Sequence, residues 1–177
     1  MRHLFKSLVT ISALSSLVVV PVLLSPQQAL AETKKGTDAN YVGAGIAAGV
    51  TEGGQTNDAP TFGGNITGRI KVGETPLSVR GNVLWSDKTS AIIPELSVDV
   101  PIAQRTNAYI TGGYSFVERD GFATPLGNRN SVVVGAGLES EVTQNIMVYT
   151  NAKLGLRAYE NSPASAVSIN AGVGYSF

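Results

Sequence analysis

The sequence lacks cysteine altogether and contains a single histidine, His3. A chain without cysteine forms no disulfide and offers no thiolate to a metal ion, and one histidine cannot complete a zinc-type ligand set. Charge is sparse and balanced, with 13 basic and 13 acidic side chains. These shortages argue against a disulfide-stapled domain, a metal centre and a basic surface for nucleic acid.

The first 31 residues have the three parts of a secretory signal peptide. Arg2 and Lys6 form a charged start, an apolar run covers residues 8–24, and Ala29 and Ala31 are spaced as in an A-x-A cleavage site. We expect cleavage after Ala31. Because the apolar run is long for a signal peptide, an uncleaved membrane anchor is the alternative.

The mature chain is expected to comprise residues 32–177, with a polar, flexible leader over 32–40 and one domain over 41–177. Loss of Arg2 and Lys6 leaves 11 basic and 13 acidic side chains, an imbalance too small to indicate a nucleic-acid partner. The mature chain would contain no histidine, because His3 is removed with the signal peptide.

From Tyr41 onward the pattern has a period of two residues, which is typical of β-strands, and no helical period is sustained. Longer turn-rich connections at 51–60 and 117–130 alternate with short ones such as 73–76 and 143–145. Most strands have the roughly 9 to 11 residues that a tilted strand needs to cross a bilayer. Eight strands are predicted, at about 41–50, 61–72, 77–86, 92–100, 107–116, 131–142, 145–159 and 167–177.

The two faces of these strands differ in character. One face carries no charge, whereas the other combines glycine, asparagine and serine with charged residues. Small polar residues and balanced charges suit a narrow lumen, which would turn the apolar face toward lipid. A soluble secreted β-barrel with the faces reversed is an alternative. The residues predicted to form an ion network in the lumen are Arg69, Lys71, Arg80, Glu95, Asp99, Glu139, Glu141, Lys153 and Arg157.

Some residues depart from this pattern. Pro94 lacks a backbone N–H and should interrupt pairing near the outer end of the fourth strand. Tyr109, Val133, Met147 and Tyr149 fall on the polar face, so either the phase slips there or these side chains pack inside the lumen. Aromatic residues at strand ends, Tyr41 among them, are expected to form interfacial girdles.

The ending NAGVGYSF fits the outer-membrane insertion signal through Asn170, Gly172, Tyr175 and Phe177. Together with VVVGAGLE and TQNIMV (132–139 and 143–148), it makes the chain resemble the small outer-membrane barrels of the OmpA transmembrane-domain, OmpX and opacity-protein type, a porin-like group. The resemblance implies an all-β fold, an eight-stranded antiparallel up-and-down transmembrane β-barrel. It also implies a Gram-negative outer membrane, contact with its lipid, and insertion by the barrel-assembly machinery.

Catalysis is not indicated. The resemblance includes some enzymes that use a histidine with a serine, but the mature chain would have no histidine. The carboxylate pairs Glu95 with Asp99 and Glu139 with Glu141 are better explained as members of the ion network than as general acids and bases. No catalytic residue, cofactor or metal ligand is therefore assigned.

Two roles remain open for a barrel of this size. We expect a plugged lumen with a structural or surface-interaction role, because an eight-stranded interior is just wide enough for side chains. A narrow, low-conductance porin-like channel is the alternative. Loops 51–60 and 117–130 should carry any extracellular contact, with Arg119, Asp120, Phe122 and Arg129 as candidate residues.

Overall fold

The computed structural model describes residues 35–53 and 61–177. The predicted signal peptide with Ala29 and Ala31, and most of the predicted loop at 51–60, lie outside the described residues. Within the described part of the chain, no helix combines the length and apolar character needed to cross a bilayer. The strands are β1 (Tyr41–Gly49), β2 (Phe62–Lys71), β3 (Leu77–Trp85), β4 (Ser90–Ala103), β5 (Thr106–Val117), β6 (Ser131–Thr143), β7 (Ile146–Leu156) and β8 (Ala166–Ser176).

The eight strands form one closed barrel in which each strand pairs antiparallel with the next. β8 returns to pair with β1 in an unbroken register from Tyr41 opposite Ser176 to Gly49 opposite Ser168. The predicted all-β, up-and-down barrel is confirmed. Closure matters physically because an open strand edge in hydrocarbon would leave backbone groups without partners.

The connections divide the barrel into two unlike ends. At the turn end, β2–β3, β4–β5 and β6–β7 are joined by tight turns, and Arg105 and Asn145 take the left-handed backbone that such turns require (φ 55° and 66°). A bulge precedes two of these turns. At the loop end, residues 86–89 join β3 to β4 in a short connection, whereas the other connections are longer, and 118–130 is the longest described in full.

Pro94 lies within β4 rather than at its end. It interrupts the pairing of β4 with only one of the two neighbouring strands. Its pairing with Gly81 of β3 is kept, whereas the register between β4 and β5 passes from Ile92 opposite Phe116 directly to Glu95 opposite Gly113. A missing N–H explains a local gap in one ladder. The strand continues because its other edge remains paired.

The apolar face points outward and the polar face inward, as the period-two pattern predicted. Outward side chains such as Phe62 and Leu96 are 68% and 65% exposed. Tyr109, Val133, Met147 and Tyr149 lie inside the lumen, so the phase does not slip there. Tyr41 contradicts the girdle prediction, because its side chain is 1% exposed and points inward.

Candidate functional site

Four charged side chains form an ion cluster in the lumen toward the turn end: Arg69, Arg80, Asp99 and Glu139. Arg69 and Arg80 are direct partners on β2 and β3, a juxtaposition that would be repulsive without intervening anions. Asp99 lies 2.9 Å from Nη2 of Arg69 and 2.8 Å from Nη2 of Arg80. Glu139, three strands beyond Arg80, lies 2.9 Å from its Nη1 and 3.3 Å from Nη1 of Arg69. The cluster therefore crosses the lumen and neutralises itself.

Hydroxyl groups complete this cluster. Ser78 and Ser97 each donate to Asp99, Ser97 at 3.0 Å. Tyr41 donates its hydroxyl to Glu139 at 3.1 Å, and the guanidinium of Arg80 stacks 3.7 Å over the ring of Tyr109. Buried ions need such additional partners because pairing alone rarely repays the loss of water. The tyrosines were not among the predicted site residues, and their position on the charged face was the only sequence signal.

A second ion pair lies further along the lumen. Lys153 of β7 donates to Glu95 of β4 at 2.5 Å, again from three strands away. Glu95 also accepts hydrogen bonds from Asn82 and, at 3.0 Å, from Thr111. Both ionic side chains are almost completely buried. The interior is therefore bridged at a second level by charges that satisfy one another.

The other three residues predicted for this network lie elsewhere. Lys71 is at the turn end, where it pairs with Asp38 of the leader. Glu141 is half-buried at the end of β6, and Arg157 is exposed in the turn that follows β7. The structure thus brings together six of the nine predicted residues. These three residues lie outside the two lumenal groups because Lys71 and Glu141 are near the ends of their strands and Arg157 follows the end of β7.

An apolar cluster fills the lumen toward the loop end. Leu126, from the loop after β5, packs against Ala47, Leu84, Ile93 and Val133, and all five side chains are completely buried. Thr124 and Gly127 exchange backbone hydrogen bonds (2.8 and 3.2 Å), which form a tight turn around Leu126, and the hydroxyl of Ser86 donates to the carbonyl of Ala123 at 2.8 Å. The loop therefore turns inward and places an aliphatic side chain in the lumen.

The exposed part of the same loop carries the predicted contact residues. Arg119, Asp120, Phe122 and Arg129 are all exposed, whereas residues 124–128 between them are buried. Phe122 is 46% exposed, which is unusual for an aromatic side chain on a polar loop. The loop thus presents a mixed charged and aromatic surface on a fixed base.

The described part of the leader, residues 35–40, contradicts the prediction of a flexible segment. Gly36 donates its N–H to Ala103 at 2.8 Å, and Phe177 donates its N–H to Asn40 at 3.0 Å. Arg69 donates to the carbonyl of Ala39 at 2.9 Å. The leader therefore lies across the turn end of the lumen.

The residues of the predicted insertion signal lie on both faces of β8. Asn170 is buried and donates to Asn151 at 2.8 Å, and Gly172 provides room for Tyr149, whose hydroxyl would lie 2.3 Å from an added Cβ. Tyr175 and Phe177 point outward and are 60% and 71% exposed. Their role in insertion stays a prediction. Among the residues described, no group of three or more acidic side chains is placed to hold a metal ion.

Residues 15–177 match the family model of the outer membrane protein beta-barrel domain. The chain belongs to this family. It is therefore a protein of the outer membrane, and the exposed apolar face is its lipid-contacting belt. Family membership decides against the soluble secreted barrel that the sequence had left open.

Three solved structures share the fold. Ail, the attachment invasion locus protein of Yersinia pestis, superposes with a TM-score of 0.54 at 14% identity over 79% of this chain and 99% of its own. The N-terminal β-barrel domain of Pseudomonas aeruginosa OprF gives 0.53 at 12% identity over 80% and 98%. Neisserial surface protein A gives 0.53 at 16% identity over 78% and 97%. No curated protein matches the chain.

Membership of this family also indicates how the barrel is oriented in the outer membrane. Outer-membrane barrels place their short turns in the periplasm and their longer loops outside. The turn end with the leader therefore faces the periplasm, and the loop end with residues 118–130 faces the exterior.

Proposed function

We propose that this protein is a non-enzymatic outer-membrane barrel with a plugged lumen and a structural or surface-interaction role. The observation that supports the proposal is that three groups of buried side chains lie in the lumen at successive levels. These are the apolar cluster around Leu126, the Glu95–Lys153 pair and the four-residue ion cluster.

These levels should prevent conduction because an ion would need a large free energy to pass them. An ion entering from the loop end would first meet a dry aliphatic constriction, and it would then have to separate buried, hydrogen-bonded ion pairs. The narrow, low-conductance channel is the alternative. It requires these side chains to move aside together, and their mutual hydrogen bonds oppose that movement.

The absence of catalysis is part of the proposal. The buried carboxylates Glu95, Asp99 and Glu139 are each engaged by a cationic side chain. A general acid or base must instead reach a substrate with a free lone pair or proton. In the described part of the chain, the ion pairs of these three carboxylates do not favour such a role.

Export and insertion complete the proposal. Residues 1–31 would be removed as a signal peptide, and Tyr175 and Phe177 would act in recognition by the barrel-assembly machinery. N-terminal sequencing of protein purified from outer membranes should begin at Glu32. A mature chain that retains residues 1–31 would instead show an anchored protein.

Surface contact is assigned to the exposed part of loop 117–130, with loop 51–60 as a second contributor. The test replaces Arg119, Asp120, Phe122 and Arg129 by serine and leaves the buried residues 124–127 unchanged, so that the loop keeps its anchor. We expect cells that express this variant to attach less to polystyrene and to one another. Lys88→Ser, an exposed change at the same end of the barrel, is the control. Unchanged attachment in the four-residue variant would refute the surface role of this loop.

A further inference from the structure

The leader segment, residues 35–40, is bound chiefly through its backbone. Asn107 of β5 accepts from the N–H of Thr37 at 3.1 Å and donates to the carbonyl of Thr37 at 2.7 Å. A side-chain amide that pairs with both polar groups of one residue reads an extended backbone in the way that a neighbouring β-strand does.

Arg69 extends this recognition along the segment. Its Nη1 donates to the carbonyls of Ala39 at 2.9 Å and Thr37 at 3.3 Å, while its other nitrogens are held by the ion cluster. On the rim, the N–H of Lys71 donates to the side-chain oxygen of Asn40 at 2.8 Å. The donors are fixed by the barrel, so the mouth has the organisation of a peptide site.

Two positions of the segment add sequence specificity. Gly36 has a φ of +80°, and a Cβ there would lie 2.5 Å from Oδ1 of Asn107 and 2.7 Å from Cβ of Pro101. Any side chain would therefore clash and strain the backbone. Asp38 pairs with Lys71 at the rim. The site thus selects a glycine followed two residues later by an acidic residue.

The groups that bind the segment come from separate parts of the barrel. Arg69 and Lys71 belong to β2, Ala103 to β4 and Asn107 to β5, while Phe177 follows β8 and donates to Asn40 beside the β1–β8 seam. These groups converge only when the sheet has curved and closed.

We infer that the periplasmic mouth is a peptide-binding site specific for a segment in which a glycine is followed two residues later by an aspartate. The chain's own leader occupies it and docks only after the barrel has closed. The docked leader then ties the end of β8 to the start of β1. This assignment goes beyond the proposed function, since it holds whether or not the lumen conducts.

Protection of a single introduced cysteine from maleimide labelling tests whether the leader is docked. The chain has no cysteine of its own, so only the introduced one is labelled. Thr37→Cys replaces a buried residue of the leader, and Gln144→Cys is an exposed reference in a turn at the same end. In the folded protein, a maleimide–polyethylene glycol should label position 37 at least about tenfold more slowly than position 144. Equal labelling rates would overturn the inference.

Gly36→Ala tests the specificity, with Gly73→Ala as its matched control. Both glycines have positive φ at the turn end, but a Cβ at Gly73 would meet nothing within 4 Å. Gly36→Ala should raise labelling at position 37 toward that of the exposed reference, and Gly73→Ala should not. Slow labelling in both variants would refute the recognition of Gly36. A heat-dependent shift on a gel shows that each variant has folded, and Asp38→Asn replaces Gly36→Ala if that variant does not fold.

Two further measurements address the ligand and the order of events. In the Thr37→Cys protein with Gly36 intact, the free peptide KKGTDAN, added above the roughly millimolar effective concentration of the linked leader, should displace the leader and raise labelling at position 37. KKATDAN should not raise it, and equal effects of the two peptides would contradict sequence-specific binding. During refolding into lipid vesicles, protection of position 37 should follow the appearance of the heat-shifted band. Protection that precedes the band would refute docking after closure.

Discussion

Replacing Lys153 by methionine should destabilise the barrel strongly. The change keeps an unbranched side chain of nearly the same length but removes the cation that lies 2.5 Å from the carboxylate of Glu95. Glu95 would keep only the neutral donors Asn82 and Thr111, in an environment where its side chain is completely buried. Removing one member of a buried ion pair costs about 3–5 kcal/mol, because an uncompensated charge remains.

The double variant Glu95→Gln with Lys153→Met separates charge from packing. It removes both ions, while the glutamine oxygen can still accept from Asn82 and its amide N–H can donate to the hydroxyl of Thr111, so its free energy of unfolding should return to within about 1 kcal/mol of the parent value. Lys71→Met is the control for a salt bridge at the rim, where the expected loss is below about 1 kcal/mol.

Urea unfolding in lipid vesicles measures these differences. The single tryptophan, Trp85, reports the transition because it lies on the lipid face of β3 and is 38% exposed. The reasoning fails if Lys153→Met costs less than about 1 kcal/mol. It also fails if the double variant is as unstable as the single one, since packing rather than charge would then hold this level of the lumen.

Three further changes have expected outcomes in the same unfolding assay. Leu126→Ala should cost about 2–4 kcal/mol, because it leaves a cavity among completely buried apolar side chains; a loss below about 1 kcal/mol would mean that the loop does not anchor there. Tyr149→Phe should cost about 1 kcal/mol by removing the donor that lies 2.6 Å from Oδ1 of Asn65, and an unchanged stability would argue that water replaces it. Leu96→Arg, on the lipid face of β4, should cost about 2–4 kcal/mol, whereas Leu77→Arg at the periplasmic end of β3 should cost about 0–1 kcal/mol; equal costs would contradict the depth assigned to the belt.

The strands and their faces could be predicted from the sequence because each strand obeys a local rule. Alternation fixes which side of a strand faces lipid, and turn-formers fix where a strand ends. The prediction for β3, 77–86, differs from the observed Leu77–Trp85 by one residue. For β4, the predicted 92–100 is shorter than the observed Ser90–Ala103, since Pro94 and Pro101 weaken the strand signal without breaking the β3 edge.

The closures at the two ends could not be predicted in this way. Phe122 and Leu126 are the two large apolar residues of this loop, and nothing local shows that Leu126 rather than Phe122 folds back into the lumen. The leader is polar throughout, and its order depends on Asn107 and Arg69, which are far away in sequence. Alternation alone puts Tyr41 on the inward face of β1 with Gly43 and Gly45, but its place at a strand end led to the wrong girdle prediction. Inside the lumen its hydroxyl donates to Glu139.

Single-channel recording in planar bilayers shows whether ions can pass through the lumen. The refolded protein, verified by its heat-dependent gel shift, would be inserted and recorded in concentrated potassium chloride. We expect no conductance steps above those of a protein-free bilayer, because three levels of buried side chains occupy the lumen. Regular, long-lived steps from the intact protein would contradict it and establish the narrow channel instead.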